Sequence, residues 1–562
     1  MSTLIKLPKF FDSVVSPRDL KRMTMEELTE LSARLRQDLI DSVSKTGGHL
    51  SSNLGIVEIT VALHRVFDSP KDKLVWDVGH QSYIHKMLTG RKDRFHTLRQ
   101  HKGIAGFVTP LESEHDSFVA GHSSTSISLA LGMAIARDQK KKKHKVVAII
   151  GDGGLTGGMA LEALNHLGHI QKDVIIVLND NEMSISENLG GFSQYMKRIK
   201  ETFFYKNIKE KLNLIEDELD EAKLEPAVWE LISSVKKEAK ARIETPGIVF
   251  EKLGINYTGP VDGHDVKAVT EAFTRVKELK GPQLVHVITQ KGKGYAPAEA
   301  DSIKYHGVSA FTPEKVEPAQ TVASKTKPKT YSQVFTDALI EIAASSEELV
   351  AITPATAEGS GLVQFGKQYP ERFFDVAICE QHAATMAAGM AKSGLLPVLS
   401  IYSTFLQRAM DQVIHDVGIL NLPVIFGIDR AGLVEDGETH QGVFDIAYMR
   451  AIPNMRVYAP KDARELRNML FTLVKERKGP AAVRFPRDKA IAADGDMPLE
   501  LIDANKWELL QEGEDLIVLA YGSMVETALK SAEELRLQGL SPTVVNARSA
   551  KPLDKELLNS FL

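Results

Sequence analysis

Leu28, Leu31, Leu35 and Leu39 recur at the three-and-four spacing of a single helix face. Thr24, with Glu27 three positions on, forms a capping box ahead of them, and Gly47-Gly48 stops the helix. Beyond it, short apolar runs alternate with helical patterns. LVWDV (74–78), VVAII (146–150), DVIIVLN (173–179) and LVHVI (284–288) read as buried strands, with helical patterns near 126–137 and 159–168 between some of them. The pattern returns in PVLSIYS (397–403), PVIFGID (423–429) and AAVRFP (481–486). It returns again from DLIVLAYG (515–522), through the helical VETALKSAEELRLQG, to TVVNAR (543–548). Such alternation predicts an α/β protein with parallel sheets flanked by helices.

The Pro-, Lys- and Thr-containing stretch 312–330 and AADGDMP (492–498) read as linkers. They divide the chain into domains at 1–318, 319–495 and 496–562. The last is a strand–helix–strand piece, too short for a complete doubly wound domain, so the third domain is expected to be cut short at Leu562. Residues 196–245, rich in Lys and Glu, read as exposed helices covering something. Lys140 to Lys143 follow a helical pattern and suit a solvated helix end better than a nucleic-acid patch.

Composition narrows the function classes. The 562 residues are 43% apolar and 25% charged, enough for several packed cores. Lys plus Arg is 69 against 74 Asp plus Glu, so no nucleic-acid partner is expected. The single cysteine, Cys379, cannot form an intrachain disulfide or a cysteine zinc cage. The start, MSTLIKLPKFFDSVV, lacks a signal-peptide pattern, and no apolar run approaches the length of a membrane span. A cytoplasmic protein without a membrane partner is the expectation.

The strongest chemical signal is Gly151-Asp152-Gly153, directly after a strand. One helix and one strand later comes Asn179-Asp180-Asn181, so the crossover brings Asp152 and Asn181 to neighbouring strand ends. A carboxylate, an amide oxygen and a nearby carbonyl are hard ligands suited to Mg²⁺ completed by phosphate and water. Glycines beside Asp152 let a diphosphate approach the backbone. Two rival motifs fail. Thr156 stands where a dinucleotide fingerprint needs its third glycine, and Gln368 replaces the metal-binding hydroxyl of a P-loop in GLVQFGKQ (361–368).

GDG followed by NDN resembles the thiamine-diphosphate signature. Reading outward, the chain resembles the 1-deoxy-D-xylulose-5-phosphate synthases. The resemblance is carried by GGHLSSNLG (47–55), WDVGHQSYIHK (76–86), AGHSSTSIS (120–128), GDGGLTGGMALEALN (151–165) and NDNEMSISEN (179–188). It continues in GPVDGHD (259–265), KGKGYAPAE (291–299), ICEQHAA (378–384), YSTFLQRAMDQ (402–412), DRAG with THQG (429–442) and RFPRD (484–488). It implies three transketolase-like domains, a homodimer, and the cofactors thiamine diphosphate and Mg²⁺ bound between the first two domains. It also implies condensation of pyruvate with D-glyceraldehyde 3-phosphate, with loss of CO₂. That reaction opens non-mevalonate isoprenoid precursor synthesis and feeds thiamine and pyridoxal synthesis.

By the same resemblance, Asp152, Asn181 and the backbone oxygen of Met183 hold Mg²⁺. Gly121, His122, Ser123, Gly153, Gly154 and Tyr295 line the cofactor, with His80 near its diphosphate and reacting carbon. Glu380 hydrogen-bonds the pyrimidine N1′, which calls for a desolvated carboxyl, and Phe405 stacks on that ring. Proton transfers near neutrality call for imidazoles, and among the 17 histidines His49, His80, His306 and His440 lie beside glycine or in polar turns. Arg430 and Arg487, each after a strand, suit bidentate capture of a phosphate. Tyr402, Arg408 and Asp436 are further substrate contacts, although the loop LVEDGET (433–439) is slightly shorter than the family's usual one. Cys379 reads as a small buried residue rather than a nucleophile. A transketolase, another thiamine-diphosphate enzyme such as a pyruvate dehydrogenase first component, or an inactive scaffold are the alternatives. Retention of Asp152, Asn181 and Glu380 together argues against the scaffold.

Overall fold

A computed structural model describes residues 16–181, 183, 190–199, 247–313, 329–491 and 498–561. The expected exposed helices of 196–245 lie almost wholly outside the described residues, as do most of both expected linkers. The chain forms two compact units, 1–318 and 319–562.

The first unit is built on a parallel sheet. Its strands are β1 (Lys73–Trp76), β2 (Val146–Gly151), β3 (Ile175–Asp180), β4 (Asn256–Asp262) and β5 (Gln283–Ile288), in the order β1-β2-β3-β5-β4. β3 and β5 are buried at every position, as strands covered on both faces must be. The edge strand β4 is not. The helix Met25–Thr46 begins on the Thr24–Glu27 capping box and buries Leu28, Leu31, Leu35 and Leu39 against this unit's core. Helix Ser126–Gln139 ends at Lys140, and Lys141 to Lys143 are exposed, the solvated end read from the sequence.

The second unit holds two sheets. The larger contains β6 (Leu349–Thr353), β7 (Phe373–Asp375), β8 (Leu396–Tyr402), β9 (Ile425–Asp429), β10 (Arg456–Tyr458) and β11 (Ala481–Arg484). These are parallel, in the order β10-β11-β9-β8-β6-β7. The smaller sheet contains β12 (Glu508–Gln511), β13 (Leu516–Ala520) and β14 (Pro542–Asn546), with β14 central. A last strand, β15 (Ser549–Lys551), leaves the smaller sheet and pairs antiparallel with β10, extending the larger one. The C-terminal segment is therefore stitched into the sheet that precedes it. Arg548 reinforces the seam through an ion pair of 2.8 Å with the buried Glu465. Because the sheet of the first unit and the six strands β6 to β11 are parallel, residues that follow those strands gather at one edge of each sheet, where open α/β sheets place their ligands.

Candidate active site

In the first unit, β2 and β3 pair with Gly151 opposite Asn179. Asp152 and Asn181 therefore emerge side by side, as the crossover argument required. Asp152 is 5% exposed, and burial together with the Asp180 carboxylate pushes its carboxyl well above the usual range, with Lys291 acting in the other direction. Asp180 is buried too, and its Oδ2 meets His286 Nε2 at 2.9 Å. The Asn181 side-chain oxygen accepts the Met183 N–H at 3.2 Å, a tight turn that sets the amide oxygen beside the Met183 peptide. Two carboxylates in a dry pocket, with neighbouring amide and carbonyl oxygens, make a donor set that fits a divalent cation.

The turn after β1 supplies the next part. Val78 is held at φ 58°, a costly left-handed conformation for a β-branched residue. Gly79 follows at φ 80°, and a Cβ there would come 2.9 Å from that of Ala120. The turn is closed by residues just after it: Ser82 Oγ donates to the Gly79 carbonyl at 2.6 Å, and Gln81 Nε2 to that of Asp77 at 3.0 Å. The buried Asp77 carboxylate accepts the backbone N–H groups of Ser124 and Ser126, at 2.7 and 3.0 Å. That anchors the segment bearing Gly121, His122 and Ser123 to the same strand end. Ser123 is buried and His122 half-buried.

The strain at Val78 delivers His80 into a cluster of imidazoles. The ring centroids of His49, His80 and His306 are 5.4–5.5 Å apart in all three pairings. One buried amide arranges two of them: Asn53 Nδ2 donates to the carbonyls of both His49 and His80 at 2.7 Å. Its oxygen accepts the Tyr83 N–H at 2.8 Å. His306 Nδ1 meets Ser52 Oγ at 3.3 Å, and burial, then Lys291, His80 and His49, depress the His306 pKa well below the ordinary imidazole value. Tyr295 is buried nearby in sequence against Tyr305 and Phe311.

In the second unit the expected residues also converge on strand ends. Tyr402 closes β8 and stacks on Phe405, with ring centroids 5.3 Å apart, and Phe405 meets His440 edge-on at 5.6 Å. The Arg430 guanidinium lies 3.8 Å over the Tyr402 ring. Burial pushes the Tyr402 phenol up to about 12. Asp436 Oδ2 bridges Arg430 and Arg487, at 3.4 and 3.1 Å. The loop carrying Asp436 and His440 is pinned at its neck by paired backbone bonds between Gly432 and Gly442, of 2.8 and 2.7 Å. Arg430 itself is left-handed at φ 57°, braced by the buried Asp429, which accepts the Arg430 N–H and the Ser332 hydroxyl. Burial raises the Asp429 carboxyl to about 6.

Glu380 opens the helix Glu380–Lys392 and is 4% exposed, the desolvation that its expected role calls for. Arg408, expected at the substrate, pairs with the Glu380 carboxylate at 3.2 Å. Burial and the Glu380 charge push the neighbouring Cys379 thiol up, which disfavours a nucleophilic thiolate. Asn53, Asp77, Asp180 and Lys291 escaped sequence reasoning. Each lies in or beside a quoted motif, yet nothing in residue type alone sets them apart from ordinary core polar groups.

The family model described as 1-deoxy-D-xylulose-5-phosphate synthase matches residues 11–289. Those described as the transketolase pyrimidine binding domain and the transketolase C-terminal domain match 327–491 and 505–562. The 1-deoxy-D-xylulose-5-phosphate synthase of Brevibacillus brevis is 51% identical over 550 residues, covering 97% of this chain and 86% of its own length. That of Pelotomaculum thermopropionicum is 51% identical over 551 residues, covering 98% and 85%. The solved transketolase of Campylobacter jejuni aligns with 96% of this chain and 90% of its own, at 19% identity and a TM-score of 0.40.

Proposed function

Since this chain belongs to the 1-deoxy-D-xylulose-5-phosphate synthase family, we propose how its residues divide the labour of that reaction. The chain is a thiamine-diphosphate-dependent transferase. It condenses pyruvate with D-glyceraldehyde 3-phosphate, releasing CO₂, to give 1-deoxy-D-xylulose 5-phosphate for isoprenoid synthesis. The observation that carries this activity is the 51% identity to a synthase over 97% of the chain.

Thiamine diphosphate, when bound, supplies an acidic ring carbon that adds to a keto group and takes up the electron pair freed by CO₂ loss. Asp152, Asn181 and the Met183 carbonyl would hold Mg²⁺, which would supply positive charge for the cofactor's diphosphate. Gly121, His122, Ser123, Gly153, Gly154 and Tyr295 line the cofactor. Glu380 hydrogen-bonds the pyrimidine and Phe405 stacks on it. The dry setting of Glu380 supports this, because an exposed carboxylate would bond water instead. Arg408 acts as a brace for Glu380 as well as a substrate contact.

His49, His80, His306 and His440 move protons to and from substrate oxygens. For His49, His80 and His306 the triangle of imidazoles supports the assignment, since it gathers three groups of that chemistry with centroids 5.4–5.5 Å apart. Arg430 and Arg487 clamp the acceptor's phosphate, with Tyr402 beneath Arg430 as a stacking platform. Asp436 holds the two guanidiniums close together without ligand, offsetting their mutual repulsion. The division into domains at 1–318, 319–495 and 496–562, a homodimer, work in the cytoplasm and supply of thiamine synthesis belong to the same proposal.

Incubating the protein with Mg²⁺, thiamine diphosphate, pyruvate and D-glyceraldehyde 3-phosphate, and identifying the product by NMR, tests the reading. Deoxyxylulose phosphate with stoichiometric CO₂ is expected. Transfer of two-carbon ketol units without CO₂ would make it a transketolase.

A further inference from the structure

The motif GPVDGHD (259–265) places His264 just past β4, on the same sheet edge as Asp152, yet no role above uses it. His264 Nε2 lies 2.8 Å from the backbone nitrogen of Gln290. A peptide N–H can only donate, so Nε2 is the bare nitrogen and the ring proton is on Nδ1. That nitrogen faces Glu58 Oε2 at 3.3 Å, and the other Glu58 oxygen receives Arg36 Nη2 at 2.6 Å. Glu58 is buried. Burial works to raise its pKa, but His264 and Arg36 together hold the carboxyl below its ordinary value. A guanidinium, a carboxylate and an imidazole thus act in series on one peptide.

That peptide immediately precedes Lys291. The surrounding backbone is fixed on every side. The Thr289 N–H donates to the Asp180 carbonyl and the Gly292 N–H to that of Ser51, both at 2.9 Å. Thr289 Oγ1 donates to Asn179 at 2.7 Å. The Gln290 carbonyl presses on Gly55, where a Cβ would come within 3.1 Å. His264 supplies the remaining constraint, on the Gln290 N–H. Lys291 is 6% exposed, and its charge acts on both Asp152 and His306. A buried lysine ammonium on a flexible stem takes its position from its backbone.

We propose that His264 is a positioning residue: oriented by Glu58, it holds the Gln290 peptide so that the Lys291 ammonium stands beside Asp152 to meet the cofactor's diphosphate. This rests on the reading of the Asp152 strand end as the diphosphate site. Outer partners of a ligand site are worth roughly 10- to 100-fold in affinity when removed.

Calorimetry of thiamine diphosphate binding in excess Mg²⁺, paired with thermal melting of the cofactor-free proteins, tests the proposal on His264→Leu, His264→Gln, Lys291→Met and Asp152→Ala. Expected is a Kd raised roughly 10- to 100-fold in both His264→Leu and Lys291→Met. His264→Gln, whose amide oxygen can accept the Gln290 N–H, should keep most of the affinity although its melting point resembles that of His264→Leu. Where His264→Leu does not fold, His264→Phe retains the ring volume without the acceptor and makes the same comparison. Wild-type affinity in His264→Leu beside a weakened Lys291→Met overturns the proposal and leaves the diphosphate site standing. Equal losses in the Leu and Gln variants, tracking their melting points, overturn it in favour of a purely structural histidine. Unchanged binding in both Lys291→Met and Asp152→Ala overturns the site reading and the proposal together.

Discussion

The imidazoles of His49 and His306 meet edge to face with centroids 5.5 Å apart, one entering from the loop after the first long helix and the other from the far end of the same unit. Both rings also contact His80, so the pair marks a point where three separate stretches of chain deliver the same chemistry.

Asp152→Ala should abolish Mg²⁺-dependent binding of thiamine diphosphate while leaving the fold intact. Replacing Asp152 also relieves its repulsion with Asp180, so the cofactor-free variant should melt no lower than wild type. Calorimetry and thermal melting check the two halves. Cofactor affinity at the wild-type level would remove Asp152 from the metal site.

Glu380→Gln should slow C2–H exchange of bound thiamine diphosphate by about 100-fold or more, the usual scale of a lost acid–base group. Cofactor binding should weaken much less. The substitution also removes the negative charge that Arg408 pairs with, so a measurable loss of stability should accompany it. Proton NMR of the exchange reads the first effect. A wild-type exchange rate would exclude Glu380 from cofactor activation.

Arg487→Ala should raise the KM for D-glyceraldehyde 3-phosphate by roughly 10- to 150-fold, the equivalent of one charge-assisted phosphate contact of about 1.5–3 kcal/mol. The KM for pyruvate, which has no phosphate, should move far less. An unphosphorylated aldehyde should be a poor acceptor for wild type and lose little more in the variant. Arg487 also forms an ion pair with Asp436 at 3.1 Å. Loss of that pair alone would affect both acceptors equally, an outcome that steady-state kinetics separates from a phosphate clamp.

His64 is buried and His306 half-buried, and both imidazoles have pKa values well below the ordinary one, His64 by burial and then the proximity of His85, His306 by burial and then Lys291. The unfolded chain takes up protons at these residues near pH 6.5 while the folded protein does not. Stability is therefore whole above about pH 6.5 and falls as the pH drops below it, by up to about 1.4 kcal/mol per pH unit for each histidine. Urea unfolding of the cofactor-free protein between about pH 7.5 and 5.5 measures the slope, and His64→Phe should reduce it. A stability curve flat across that range would mean the rings are protonated in the folded state.

Much was legible along the chain. The four leucines of the first long helix, its capping box and the strands at 146–151 and 175–180 follow from local spacing, because a buried parallel strand can be written only in apolar residues. Strands at 256–262, 349–353, 373–375, 456–458, 508–511 and 549–551 were missed. Those at 256–262 and 508–511 are partly exposed and of mixed composition, and 373–375, 456–458 and 549–551 span three residues each, too short for any periodicity to register. The buried run Leu349–Thr353 carries the apolar signal of a strand and was passed over.

The sequence by itself determined the α/β class, the strand-end placement of Asp152 and Asn181, and the family, since motifs read in order need only local spacing. Tertiary structure alone decided which groups face each other. Nothing in the sequence pairs Arg408 with Glu380, sets Asp436 between two arginines, or turns His264 onto the peptide before Lys291. Those contacts join residues far apart in the chain, and their partners are fixed by sheet register and burial, where an unpaired charge or donor is costly enough to select one arrangement.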